Sequence, residues 1–372
     1  MFNREIELVI VQTTPFCNLD CSYCYLPNRS KKGLISHNVI DSIFKKLFES
    51  PYCNNTISIV WHAGEPLIAP PEFYIKAFEI CQKYQTPDRK VQHYIQTNGV
   101  LIDDAWCQFF KNYPFRIGIS LDGPQALHDS RRKYRSGKGS HTEVMAGIKK
   151  LKDHGLSFSV IAVVTDQTLL NPNEFHDFFI DNDIFNVGLN IEEIENHNIT
   201  SSLSIDKSSG LFYKFIKQLY KLANVSGLNF REFVLAKRII LNYAKHRQTP
   251  TISPLYPISF DINGNFTVFA PELLGATSPF YGDFTIGNIT SAELEDVFNS
   301  PKFNFLNNEY AEGIHNCKTN CTYYCVCGGG SASNKFFENG RINTTETLFC
   351  RLTKKVIYTM VSDELLSEGV LN

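Results

Sequence analysis

Neither sign of charge predominates in this chain. Its 36 Lys and Arg face 38 Asp and Glu, for a formal net charge of −2. That balance gives no electrostatic case for nucleic acid or an anionic membrane surface as partner. No segment approaches the roughly 20 consecutive apolar residues that a membrane span requires. The N-terminus, MFNREIELVI, carries charges where a signal peptide would have its apolar core, and no small-residue cleavage site follows. A cytoplasmic location is therefore expected, with no room for a separate leader-recognition domain ahead of the first strand. Internal repeats and low-complexity tracts are also lacking. At 372 residues, 43% hydrophobic and 20% charged, the composition is that of a globular protein with one large domain and an appendage, or two domains.

Cysteine is plentiful: there are 11, three of them at 17–24 and five at 317–350. In a reducing compartment this points to metal binding or catalysis rather than disulfides. Cys81 and Cys107 lie in amphipathic helical segments and read as small packed residues. Cys53, beside Pro51 and Asn54-Asn55, reads as a turn residue. Trp61 and Trp106 read as packing residues.

Six short apolar segments recur, each with a polar or glycine-rich tail: 7–15, 56–64, 91–99, 115–123, 156–165 and 185–193. Their Val, Ile, Phe and Tyr content and length suit buried parallel strands. Helical spacing fills the gaps at 37–50, at 70–85 behind Pro70 and Pro71, and at 141–155, which stops at Gly155. Six β–α units predict a parallel sheet curled into a partial (β/α)6 TIM-like barrel, with its functional groups at the strand ends. The tails TTPFC, WHAGEP, QTNG, SLDGP and NIEE would then share one mouth. From about residue 250 the pattern changes to a hairpin at 259–269, turning at Asn263-Gly264, and a cysteine-rich tail. The expected division is 1–235 for the barrel and 236–372 for the extension.

Cys17, Cys21 and Cys24 follow the first strand, with Tyr23 just before the last of them. Three thiolates on a 4Fe–4S cube leave one iron free for a chelating small molecule. Zinc, the competing reading, wants a fourth ligand nearby. A Cys-x3-Cys-x-aromatic-Cys run after the first strand of a β/α barrel resembles the radical S-adenosylmethionine (SAM) superfamily. The resemblance implies that SAM chelates the open iron and yields a 5′-deoxyadenosyl radical. Gly64-Glu65-Pro66 resembles the family's GGEP segment at SAM's amino group, with Ala63 in place of the first glycine. Gln96-Thr97-Asn98-Gly99 resembles the third-strand TNG segment, contributing Thr97 and Asn98. Ser120 resembles the serine on SAM's ribose or carboxylate. The basic run of Arg131, Arg132, Lys133, Arg135 and Lys138 could be a solvated loop or an anion site. By the resemblance it supplies an arginine for SAM's carboxylate, a role open to Arg132 or Arg135.

The C-terminal run Cys317, Cys321, Cys325, Cys327 and Cys350, with Gly328-Gly329-Gly330 inside it, suits either zinc or iron–sulfur. Its likeness to SPASM extensions favours one auxiliary 4Fe–4S cluster on Cys317, Cys321, Cys327 and Cys350. Cys325 is then surplus. Phe269 and Ala270 stand where such domains with two auxiliary clusters would have an upstream cysteine and acid, so only one such cluster is expected.

FTVFAPELLG, YGDFTIGN, VCGGGSASNKFFENG and TTETLFCRL together resemble the glycine-rich-repeat-system (GRRM-type), cyclophane-forming maturases. This implies a radical SAM peptide maturase that abstracts a β-hydrogen from a ribosomally made precursor peptide and joins that carbon to an aromatic side chain. It also implies a flavodoxin- or ferredoxin-like electron donor, and an auxiliary cluster able to accept an electron. Glu272 is the candidate proton acceptor, an exposed carboxylate or structural ion pair being the plain alternative. Glu192, Glu193 and Glu195 could bind a basic leader peptide or simply be solvated. The alternatives are thioether formation, sulfatase-maturase-like oxidation of a side chain, and a non-enzymatic iron–sulfur carrier or sensor.

Overall fold

A computed structural model describes residues 5–371. Six parallel strands lie side by side in chain order: β1 (Ile6–Val11), β2 (Cys53–Trp61), β3 (Lys90–Thr97), β4 (Phe115–Ser120), β5 (Phe158–Val164) and β6 (Asn186–Ile191). Each is joined to the next through at least one helix, as parallel pairing requires. A short strand, β7 (Asn229–Phe230), follows β6 at one edge. The six expected strands and the helices at His37–Glu49, Pro71–Tyr84 and His141–Asp153 all form. The last of these helices is closed by Gly155 at φ +67°. Cys53, expected in a turn, opens β2 instead.

The expected hairpin forms as β8 (Ile258–Phe260) and β9 (Asn265–Thr267), antiparallel about Asn263-Gly264. It does not stand apart. β8 pairs parallel with β1, so the C-terminal part of the chain begins by extending the same sheet. The helix Arg231–His246 runs without a break through residues 235 and 236.

Burial alternates along the inner strands. In β3, His93, Ile95 and Thr97 are buried while Tyr94 and Gln96 are only half so, and β5 repeats this with Val160, Ala162 and Val164 against Ile161 and Val163. The buried phase packs on the surrounding helices. There Trp61 meets Tyr74 edge-on, and Tyr74 meets Trp106; truncating such a ring to alanine costs about 3–5 kcal/mol. Cys81 and Cys107 are buried in this layer as packed residues. The half-buried phase turns to the other face of the sheet, and its last members on β3 to β6, Gln96, Ser120, Val163 and Asn190, reach the site. No helix among the described residues is long and apolar enough to cross a membrane.

Candidate active site

A cavity of about 250 Å³ opens at the carboxyl ends of the strands. Cys17, Cys21, Tyr23 and Cys24 form part of its wall, together with Gly64, Glu65, Asn98, Ser120, Arg132 and Glu272. Pro66, Thr97 and Arg135 do not line it.

The cysteine loop is held by backbone bonds. Asp20 N donates to Lys133 O at 2.7 Å and Ser22 N to Arg131 O at 3.0 Å. Arg135 Nη1 donates to Cys17 O at 2.6 Å, and its Nη2 to Arg29 O at 2.7 Å. Arg29 closes the loop from the other side by donating to Cys21 O at 2.8 Å. The basic run is thus largely a clamp on the cysteine loop. Burial pushes the Cys17 thiol up to about 12 and the Cys21 thiol to about 11, although the Arg132 charge pulls Cys21 back.

Arg132 is buried in the cavity wall and donates to the Tyr23 hydroxyl at 2.7 Å. Tyr23 in turn donates to Asp122, which also accepts from Val163 N at 3.0 Å. Arg132 Nε has no hydrogen-bond partner among the described residues. The two arginines between which the sequence does not decide therefore differ in place: Arg132 lines the cavity, while Arg135 grips the backbone of two wall residues, Cys17 and Arg29.

Glu65 organises two strand ends. Its carboxylate accepts from Leu67 N at 2.9 Å, Thr97 Oγ1 at 2.6 Å and Asn98 N at 2.8 Å. Gly64 sits at φ +94°, and a Cβ there would lie 2.0 Å from Thr14 O, so only glycine fits. Ala63, standing for the usual glycine, is itself left-handed at φ +69°. Asn98 Nδ2 donates to Asn18 Oδ1 at 2.7 Å and lies 3.7 Å from Cys17 Sγ, tying β3 to the cysteine loop. Gln96 Nε2 donates to Ser120 Oγ at 3.1 Å.

Two cavity residues were missed by the motif reading. Burial brings the His62 imidazole down to about 4, and its Nδ1 has no partner among the described residues; the Tyr25 hydroxyl has none either. Strand phase carried the signal for His62. It follows β2 in the same inward phase that places Gln96 and Ser120 in the wall.

Part of the wall is acidic. Glu193, Glu195 and Glu272 all line the cavity. Burial raises Glu193 to about 7, and burial with the nearby Glu193 raises Glu272 to about 8. Burial, with both neighbours, lifts Glu195 well above the usual carboxylate range. Glu192 lines the cavity too, but its carboxylate is engaged, accepting from Ser202 N at 2.7 Å and pairing with Arg131 at 3.5 Å. Phe269, at φ +73°, packs its ring 4.9 Å from that of Tyr310.

Cys317, Cys321, Cys327 and Cys350 share a second, enclosed cavity, and Cys325 is not part of its wall. Cys317 lies in the last turn of the helix Pro301–Asn320, Cys321 caps it, and Cys327 ends the short helix Tyr324–Cys327. Among the described residues no three Cys, His, Asp or Glu side chains are gathered tightly enough for a single metal ion. Thiolates around a cube of four irons each take a different iron and stand farther apart. The donor set in the first cavity, three thiols beside a buried guanidinium and an unpartnered imidazole nitrogen, fits an iron–sulfur cluster with a zwitterionic ligand.

Residues 11–179 match the radical SAM superfamily. An uncharacterised Synechocystis protein is 41% identical over 351 residues, which is 93% of this chain and 88% of that one. A cysteine-type anaerobic sulfatase-maturating enzyme of Clostridium novyi is 27% identical over 375 residues, 96% of either chain. The structure of anSMEcpe with bound AdoMet superposes with a TM-score of 0.78 at 22% identity, covering 98% of this chain and 95% of that one. Streptococcus suis SuiB bound to precursor peptide SuiA superposes at 0.65 with 17% identity, covering 93% and 76%. At such identities these two likenesses speak for the fold. The chain belongs to the radical SAM superfamily, enzymes that work with a 4Fe–4S cluster and S-adenosylmethionine.

Proposed function

We propose that this enzyme is a peptide maturase that joins the β-carbon of one precursor residue to an aromatic ring carbon of another. The observation that carries the reading is a single cavity lined at once by Cys17, Cys21 and Cys24 and by Glu272. A 4Fe–4S cluster with SAM, when bound, supplies a hydrogen-abstracting deoxyadenosyl radical. Cys17, Cys21 and Cys24 hold the cluster. Arg132, Glu65, Asn98 and Ser120 orient SAM, and Gly64 lets backbone approach it. Glu272, in its ionised form, accepts the proton that the ring gives up as it regains aromaticity, so cross-linking should rise with pH through about 8. Cys317, Cys321, Cys327 and Cys350 would hold one auxiliary cluster able to take the electron released with that proton, while Phe269 and Ala270 leave no cysteine for another. The substrate is a ribosomally made peptide, and a flavodoxin- or ferredoxin-like protein delivers electrons.

Coexpression with a short precursor encoded beside the gene tests this. A product lighter by two hydrogens, with fragmentation blocked between the joined residues, is expected. Unchanged peptide across the neighbouring precursors would overturn it.

A second reading is oxidation of a protein side chain to an aldehyde, favoured by the full-length likeness to the Clostridium novyi sulfatase-maturating enzyme. Serine oxidation also removes two hydrogens, so mass alone does not separate the two. Trapping with a hydrazine does: an aldehyde reacts and a carbon–carbon link does not.

A further inference from the structure

A lysine is buried beside the C-terminal cysteine site. Lys335, on the helix Ala332–Asn339, is 1% exposed, and its Nζ has no hydrogen-bond partner among the described residues. Its neighbours are the sulfurs of Cys317, which the amine approaches most closely, and of Cys327 and Cys350. Space is kept for the amine. Gly313 lies one helical turn before Cys317, and a Cβ there would stand 3.1 Å from Lys335 Nζ and 2.6 Å from Ile342 O. Gly330 passes the same side chain, its Cβ position 3.8 Å from Lys335 Cε.

A buried amine whose neighbours are sulfurs rather than oxygen acceptors is costly, and such groups persist where something charged completes them. Among the described residues no carboxylate does so. A cluster held by four thiolates carries net negative charge, and its potential responds to nearby charge and to hydrogen bonds on its sulfurs. We propose that Lys335 is the counter-charge of the auxiliary cluster, a positioning residue that donates toward its sulfurs and raises its reduction potential. The proposal rests on the auxiliary cluster assigned above. A more easily reduced centre suits a reaction whose product is more oxidised than its substrate.

The test uses the full-length enzyme, reconstituted anaerobically with iron and sulfide. EPR-monitored redox titration separates the two clusters, since only the signal of the SAM-binding one changes when SAM is added. Lys335→Met should shift the auxiliary midpoint to more negative potential and leave the SAM-binding cluster unmoved, while Lys335→Arg should recover most of the shift. An unchanged midpoint in Lys335→Met with a full complement of iron overturns the proposal. Loss of auxiliary iron from Lys335→Met but not from Lys335→Arg supports it. Loss from both, with the fold intact by circular dichroism, overturns it by showing a need for shape rather than charge. Wild-type protein that binds about four irons rather than about eight would remove the auxiliary cluster itself, and the counter-charge role with it.

Discussion

Arg132 and Tyr23, more than a hundred positions apart in sequence, are joined by a 2.7 Å hydrogen bond in the wall of the cysteine cavity. The tyrosine hydroxyl serves both sides, accepting from the guanidinium and donating to Asp122. Tyr23→Phe leaves a buried cation and a buried carboxylate each short of a partner. It should destabilise the apoprotein by about 1.5–3 kcal/mol and weaken SAM binding. Anaerobic urea unfolding and calorimetric titration with SAM read the two effects; unchanged values in both would show that the bond contributes nothing.

Two neighbouring positions should respond oppositely to similar changes. Ala63 holds a left-handed φ of +69°, so Ala63→Gly should leave stability unchanged or raise it by up to about 1 kcal/mol. Gly64→Ala would drive a Cβ to 2.0 Å from Thr14 O and should destabilise by roughly 3 kcal/mol, with loss of SAM cleavage. Melting temperature and 5′-deoxyadenosine yield measure both.

Glu272 has a pKa raised from its ordinary 4.5 to about 8 by burial and by Glu193. Between those values the folded chain holds a proton that the unfolded chain has released, so stability falls as pH rises through the window. Glu272→Gln removes this contribution. Its melting temperature should gain on the wild type steadily from pH 5 to pH 8, and a constant gap would contradict the assignment. In turnover the same variant should still form 5′-deoxyadenosine while yielding less cross-linked peptide.

Cys325 stands outside the wall shared by Cys317, Cys321, Cys327 and Cys350. Cys325→Ser should keep the full iron content after reconstitution, whereas Cys350→Ser should lower it. Iron and sulfide analysis beside the visible absorption spectrum decides between them. Equal losses would make Cys325 a ligand.

The strands were legible because each carries a compact apolar run with a polar tail, and the N-terminal cysteine triplet because its spacing is local. The attachment of β8 beside β1 was not, since a three-residue strand carries no periodicity and its partner lies far away in sequence. His62 escaped for another reason: a lone histidine after a strand is ordinary until the inward phase of its neighbours is known. Arg132 and Arg135 have the same chemistry and near-equal positions, so only the fold could send one into the cavity and the other onto the carbonyls of Cys17 and Arg29. The joining of Glu193, Glu195 and Glu272 on one wall likewise depends on bringing the end of β6 to a loop nearly eighty residues later. Lys335 was silent in sequence because one lysine in a polar segment ordinarily faces water.

The main-chain bonds that tie Asp20 and Ser22 to Lys133 and Arg131, and the grip of Arg135 on Cys17, join the cysteine loop to a segment more than a hundred residues later in the chain. The position of the three thiols is therefore set from both ends of that span. A change confined to residues 131–135 can move the sulfurs without touching any of the cysteines.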